Sequence, residues 1–233
     1  MDHHEARRGV LSGDPASSIS APGAALGAAL ETGRLLFAQP CVFVAGAVKA
    51  ADLPPGRLPE VAFAGRSNVG KSSLLNALTG QKALARVSRT PGRTRQINHF
   101  RLGERLELVD LPGYGYARAP KGMVANWTQE VERYFKGRPN LRRVCLLLDA
   151  RHGINAADLK VMDLLDDAAV VYQVVLTKLD ALPAAAVAGA IGAVERGLAK
   201  RHAAHPQVIA TSARLGAGVP ELRAELAMLA GGG

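Results

Sequence analysis

VAFAGRSNVGKSSLLNAL, residues 61–78, runs from a short apolar strand through a glycine-bounded loop into a helical pattern. Its middle, GRSNVGKS at 65–72, has the spacing G-x-x-x-x-G-K-[ST] in the strand, loop and helix setting that a phosphate-cradling loop requires. Gly65 and Gly70 permit backbone conformations and close approaches that a Cβ would block, so successive N–H groups can point inward at phosphate oxygens. The helix that begins near Lys71 adds the positive end of its dipole. Lys71 is placed to reach β- and γ-phosphates, and the Ser72 hydroxyl to ligate Mg²⁺.

Working outward, short apolar runs alternate with helical patterns. Strands are expected at 61–64, 105–110, 142–149, 171–177 and 206–212, most of them buried on both faces, and helices at 71–79, 126–136, 156–168, 184–203 and 219–230. Such alternation builds βαβ units, hence an α/β fold with a mostly parallel sheet and helices on both faces. INHFRL at 97–102 follows no helix and meets RLELVD across a tight GE corner, which predicts an antiparallel edge strand and six strands in all. Residues 1–38 read as a disordered tail, with a short helix available over 26–38. Residues 39–60 are a lead-in strand and loop, and 61–233 are the domain proper.

Two further strand ends carry chemistry. Asp110 begins DLPG (110–113), 39 residues beyond Lys71, where its carboxylate can hold a metal's water shell and the Gly113 amide can face a γ-phosphate. TKLD at 177–180 and TSA at 211–213 follow later strands. Asp180 offers two acceptors that match N1–H and the 2-amino group of guanine, donors that adenine lacks at that edge. Lys178 can lay its stem along the base, and the Ala213 amide can donate to O6. Each short motif alone is explained by loop polarity; several in order, each at a carboxyl edge, are not.

Composition narrows the partners. The chain has 233 residues, 48% hydrophobic and 21% charged, enough to bury a core, and a net charge of +9. Residues 1–60 are slightly acidic. Residues 82–105 hold Lys82, Arg86, Arg89, Arg93, Arg95, Arg101 and Arg105 against Glu104 alone, a local net of +6. A polyanionic partner follows from that concentration, with a solvated charged face as the plain alternative. The two cysteines have no disulfide or metal spacing, and Cys145 in RRVCLLLDA reads as a buried inert thiol, in keeping with a reducing compartment. The six histidines are scattered, with no metal-ligand spacing. No apolar run approaches the roughly 18 residues of a membrane span, so a cytoplasmic protein is expected.

Taken together, GRSNVGKSSLLNAL, TPGRTRQINHF, DLPGYGYA and TKLD resemble the EngB (YihA/YsxC) family of translation-factor-class GTPases, over about residues 41–230. The resemblance implies a Ras-like P-loop GTPase domain, Mg²⁺-dependent hydrolysis of GTP, a role in late assembly of the large ribosomal subunit, and a part in cell division and septation. Carried over, Gly65, Arg66, Ser67, Asn68, Val69, Gly70, Lys71 and Ser72 bind phosphates, with Gly92, Arg93, Thr94, Arg95, Gln96, Asp110, Leu111, Pro112 and Gly113 around them. Thr177, Lys178, Leu179 and Asp180 read guanine with Thr211, Ser212 and Ala213. Ser72 and Thr94 ligate Mg²⁺, with Thr90 as the competitor, and Asp110 acts through water; Lys71, Thr94 and Gly113 carry the catalytic roles. Thr177 stands where many GTPases have Asn, and Tyr114 where many have a water-orienting Gln, which implies slow intrinsic turnover. Asn68 resembles the asparagine by which related GTPases hold K⁺; the alternative is a loop-stabilising side chain. On this reading GTP orders the basic stretch and presents its arginines to rRNA, with His99, Phe100, Tyr114 and Tyr116 available for stacking. A monomer is expected. The rival readings are a switch acting on a cell-division protein without rRNA contact, and a nucleotide-binding module without turnover.

Overall fold

A computed structural model of the chain describes residues 22–82, 84, 96–115 and 121–231. Within them, α1 (Pro22–Phe37) precedes β1 (Cys41–Ala47), β2 (Glu60–Gly65), α2 (Lys71–Thr79), β3 (Ile97–Leu102), β4 (Leu106–Asp110), α3 (Lys121–Gly137) and β5 (Leu141–Asp149). There follow α4 (Ala156–Asp167), β6 (Tyr172–Thr177), α5 (Ala184–Leu198), β7 (Ile209–Ala210) and α6 (Val219–Leu229). The seven strands form one sheet in the order β1-β3-β4-β2-β5-β6-β7. β2, β4, β5, β6 and β7 run parallel, and β3 is antiparallel to both β4 and β1.

The sheet therefore has seven strands where six were expected, and β3 is not its edge. CVFVAGA lies on the outer side of β3 and pairs Cys41 with Leu102 through Ala47 with Ile97, with a bulge between Phe43 and Ala45. α1 precedes this run, but only loop and one 3₁₀ turn lie between it and β2, so the strand–helix–strand alternation that marked the other strands was missing.

Period-two alternation splits each central strand between two cores. On β2, Ala62 and Ala64 face a layer built on α3, α4 and α5, with Val131, Tyr134, Met162, Leu165 and Val194; Val61 and Phe63 face the layer of α1, α2 and α6, with Phe37, Leu74, Leu78 and Leu222. Strands buried on both faces are what keeps their carboxyl ends in fixed register. Asn155 starts α4 with a reciprocal capping box: its Oδ1 accepts from Ala157 N at 2.9 Å, and Asp158 Oδ2 accepts from Asn155 N at 3.0 Å.

The helix expected over 26–38 spans Pro22–Phe37 and packs along α6. Gly33 permits the contact, since a Cβ there would lie 2.6 Å from Ala224 N. Residues 1–21 lie outside those described. Cys41 and Cys145 are buried free thiols, and burial pushes them up to about 11 and about 12 respectively, which leaves both unreactive.

Candidate functional site

β2, β4, β5 and β6 deliver their motifs to one end of the sheet. The phosphate loop leaves β2 at Gly65 and turns into α2 at Lys71. Gly70 holds φ +105°, and a Cβ on Gly65 would come within 2.8 Å of Val69 and 3.1 Å of Leu147, so both glycines answer steric demands. Asn68 adopts φ 65°, a left-handed conformation that a non-glycine residue takes only where the loop imposes it.

Asp110, 3% exposed, ends β4 beside α2, and its Oδ1 accepts from Lys71 Nζ. Ser72 follows Lys71 in the first turn of α2, so a hydroxyl and a carboxylate, both hard oxygen donors of the kind Mg²⁺ takes, come from adjacent elements. The DLPG segment is locked to the phosphate loop by Ser67 N donating to Tyr114 O (2.9 Å) and Leu111 N to Phe63 O (3.0 Å). Gly92, Arg93, Thr94 and Arg95 lie outside the described residues, as does Thr90; Gln96 is exposed just before β3.

The TKLD segment is tied to the phosphate loop at two points. Thr177 Oγ1 donates to Val69 O at 2.6 Å, and Lys178 Nζ donates to Asn68 O at 2.7 Å while pairing with Asp149 Oδ2 at 2.9 Å. The threonine hydroxyl thus braces the loop, as its retention in place of Asn suggests. Lys178 itself stands at φ 58°. Asp149 is held well below the usual carboxylate range, first by the Arg151 guanidinium and then by Lys178, so it is an anion wherever the protein is folded near neutral pH.

Asp180 Oδ1 accepts from Ser212 Oγ at 2.5 Å, and Oδ2 pairs with Arg214 Nε at 2.9 Å. The Ser212 hydrogen bond, ahead of Arg214, lowers the Asp180 carboxyl below its ordinary value. Leu179 N donates to Thr211 O at 3.1 Å, which joins TKLD to the TSA turn that ends in Ala213. A cleft of about 220 Å³ lined by Arg66, Ser67, Asn68, Asp149, Arg151 and Lys178 opens between the loops.

Tyr114 is buried. Its hydroxyl donates to Asp158 Oδ1 at 2.8 Å, and its ring lies 5.3 Å from that of Trp127, whose Nε1 donates to Pro112 O at 2.8 Å. Burial and the neighbouring Asp158 carboxylate push the phenol well above its ordinary value, so it is a fixed neutral donor. This corrects the stacking expectation for three of its four residues: His99 and Phe100 are 1% and 2% exposed and Tyr114 is 6% exposed, because Phe100 and Tyr114 fill cores and His99 is enclosed beside Glu60 and Glu107. Tyr116 lies outside the described residues. Arg214, Asp149, Asp158 and Trp127 are the partners that sequence reasoning missed; they stand far from the motifs they touch or outside them, with no local signal.

A phosphate loop at a strand's carboxyl end, an acidic DxxG strand tip beside its lysine and a paired TKLD/TSA corner define a P-loop GTPase. A family model described as "50S ribosome-binding GTPase" matches residues 60–178. "Probable GTP-binding protein EngB" of Rhodospirillum rubrum is 58% identical over 207 residues, covering 87% of this chain and 90% of that protein; its namesake in Hyphomonas neptunium is 57% identical over 205 residues, covering 87% and 93%. The crystal structure of a probable GTP-binding protein EngB superimposes with a TM-score of 0.57 at 25% identity, covering 73% of this chain and 97% of that one. The chain belongs to the EngB family of GTP-binding proteins, and it is a GTPase. No described helix is long and apolar enough to cross a membrane.

Proposed function

We propose that this GTPase works as an assembly factor for the large ribosomal subunit, in the cytoplasm and as a monomer, with the family's link to cell division following from that work. Gly65 to Ser72 hold the phosphates of GTP, Lys71 neutralises charge on the β- and γ-phosphates, and the Gly113 amide faces the γ-phosphate. Asp180 reads N1–H and the 2-amino group of guanine, with the Ala213 amide on O6. Ser72, Thr94 and, through water, Asp110 hold Mg²⁺, which when bound neutralises phosphate charge. The Tyr114 side chain cannot orient the attacking water, since its only polar atom is committed to Asp158, 2.8 Å away inside the core, and intrinsic turnover is slow.

Asn68 is exposed on the phosphate loop with its backbone carbonyl already taken by Lys178, which leaves its side-chain amide oxygen for a K⁺ ion. Hydrolysis is expected to run faster in KCl than in NaCl at equal ionic strength, and equal rates refute this role for Asn68.

The observation that carries the ribosomal reading is the +6 stretch at 82–105, which contains Thr94, so that if Thr94 ligates Mg²⁺ a γ-phosphate would order the stretch. Lys82, Arg101 and Arg105 of that stretch are exposed. GTP would bring its cations together against rRNA phosphates and so couple nucleotide state to RNA affinity. The triple variant Arg86→Glu, Arg89→Glu, Arg101→Glu should cosediment poorly with large subunits while binding GTP normally. Its slope of log K against log salt should be shallower by about 2–3 for the three lost phosphate contacts. Undiminished cosedimentation overturns the reading.

A further inference from the structure

Glu60 opens β2 at the end of the sheet opposite the phosphate loop. Five strand steps separate it from Gly65, about 16 Å at roughly 3.3 Å each. Its side chain, 0% exposed, shares a pocket with His99 of β3 (1%) and Glu107 of β4 (6%). The pairings explain the meeting: Glu60 lies opposite Glu107 across β2–β4, His99 opposite Val109 across β3–β4, and all point to the α3 side of the sheet. His99 Nε2 is 3.5 Å from Glu107 Oε2 and 3.8 Å from Glu60 Oε2, and neither ring nitrogen has a hydrogen-bond partner. A wholly buried imidazole with no partner is costly, and native interiors rarely leave one.

The surroundings hold the two carboxylates in place. Tyr134 Oη and Arg138 Nε donate to Glu60 Oε1, Arg138 Nη2 donates to Glu60 Oε2, and Asn140 Nδ2 donates to Glu107 Oε2 at 3.2 Å and to Leu58 O at 2.8 Å. Two carboxylates face one guanidinium, so the cluster has room for further positive charge beside the imidazole lone pair.

We propose that Glu60, His99 and Glu107 form a site for a Zn²⁺-type transition-metal dication, separate from the Mg²⁺ expected at the phosphates. Ligand atoms about 2.0–2.2 Å from a tetrahedral Zn²⁺ lie roughly 3.3–3.6 Å apart. The two gaps at His99 Nε2, 3.5 and 3.8 Å, need to close by only a few tenths of an ångström. One donor atom from each of the three residues lies within 4.8 Å of the others, and a water completes the fourth position. The imidazole selects against Mg²⁺ and Ca²⁺, which take oxygen donors. Hydrogen bonds from Tyr134, Arg138 and Asn140 are the outer shell that orients carboxylate ligands. Arg138 competes for Glu60, which makes the site weaker than one with two free carboxylates. Bound metal would clamp β3, β4 and β2, adjacent in the sheet, which lead from the basic stretch, to Asp110 and to the phosphate loop.

The test uses the full chain, stripped with chelator and saturated with Mg²⁺ and GDP, titrated with Zn²⁺ by calorimetry. One saturable site is expected, with visible d–d bands of four-coordinate geometry when Co²⁺ replaces Zn²⁺. Its Tm should rise by about 5–10 °C at a hundred times Kd. His99→Leu and Glu107→Gln should each lose the site, the bands and the Tm rise while keeping GDP affinity and the circular dichroism of the fold. Either variant taking up Zn²⁺ as the parent does overturns the proposal and assigns the metal to other side chains. So does a parent that takes up none.

Discussion

Lys71→Ala is expected to lower kcat/KM for GTP by about 10²–10³-fold or more, the range seen when one preorganised donor to developing charge is removed. The ammonium is 10% exposed and reaches the Asp110 carboxylate, so it already stands where the phosphate loop and the tip of β4 meet. Phosphoryl transfer asks little covalent chemistry of a protein, and charge neutralisation by a positioned cation is a large share of what is left. Alanine also leaves Asp110, 3% exposed, without its cation. A loss of stability should therefore accompany the kinetic loss, and Lys71→Arg separates the two by restoring charge without the compact ammonium. Single-turnover phosphate release and calorimetric GTP affinity measure the effect; turnover within tenfold of the parent would remove Lys71 from the mechanism.

Asp180→Asn should cost about 10³-fold in GTP affinity and raise affinity for xanthosine triphosphate. A carboxylate gives two acceptors to the N1–H and 2-amino donors of guanine; an amide gives one acceptor and one donor, which suits xanthine, whose C2 bears a carbonyl. Competition between the two nucleotides, read by fluorescence displacement, gives the ratio, and unchanged preference would mean that Asp180 does not face the base. The same carboxylate fixes the acid limb. Ser212 and then Arg214 stabilise its ionised form, so its pKa in the fold is depressed. Guanine binding should then persist below the pH at which an ordinary aspartate protonates, and fade as pH falls through the lowered value.

Most of the fold was legible because its signals are local. Lys71–Thr79 is the expected helix, and INHFRL is the expected strand over Ile97–Leu102. Helix and strand ends elsewhere shift by a few residues; PQVIATS shortens to Ile209–Ala210, since two residues are all that pair with β6. β1 was legible only as part of a lead-in because what makes it a strand is the open side of β3, which pairs Cys41 with Leu102 and Ala47 with Ile97. The site motifs could be read from their spacing and from the strand ends that carry them. Their partners could not: Asp158 meets Tyr114 across 44 residues, and Lys178 reaches Asn68 across 110. Histidine spacing likewise gave no hint of His99 between Glu60 and Glu107, because sheet order, not sequence, makes them neighbours.

The bonds from Thr177 and Lys178 to the carbonyls of Val69 and Asn68 have a thermodynamic corollary. Two halves of a nucleotide, guanosine and a pyrophosphate, cannot be independent tenants of such a cavity. Whichever arrives first stiffens the wall of the other, so part of the ordering entropy is lost only once. Their separate free energies should fail to add, and by reciprocity each should tighten the other by the same factor.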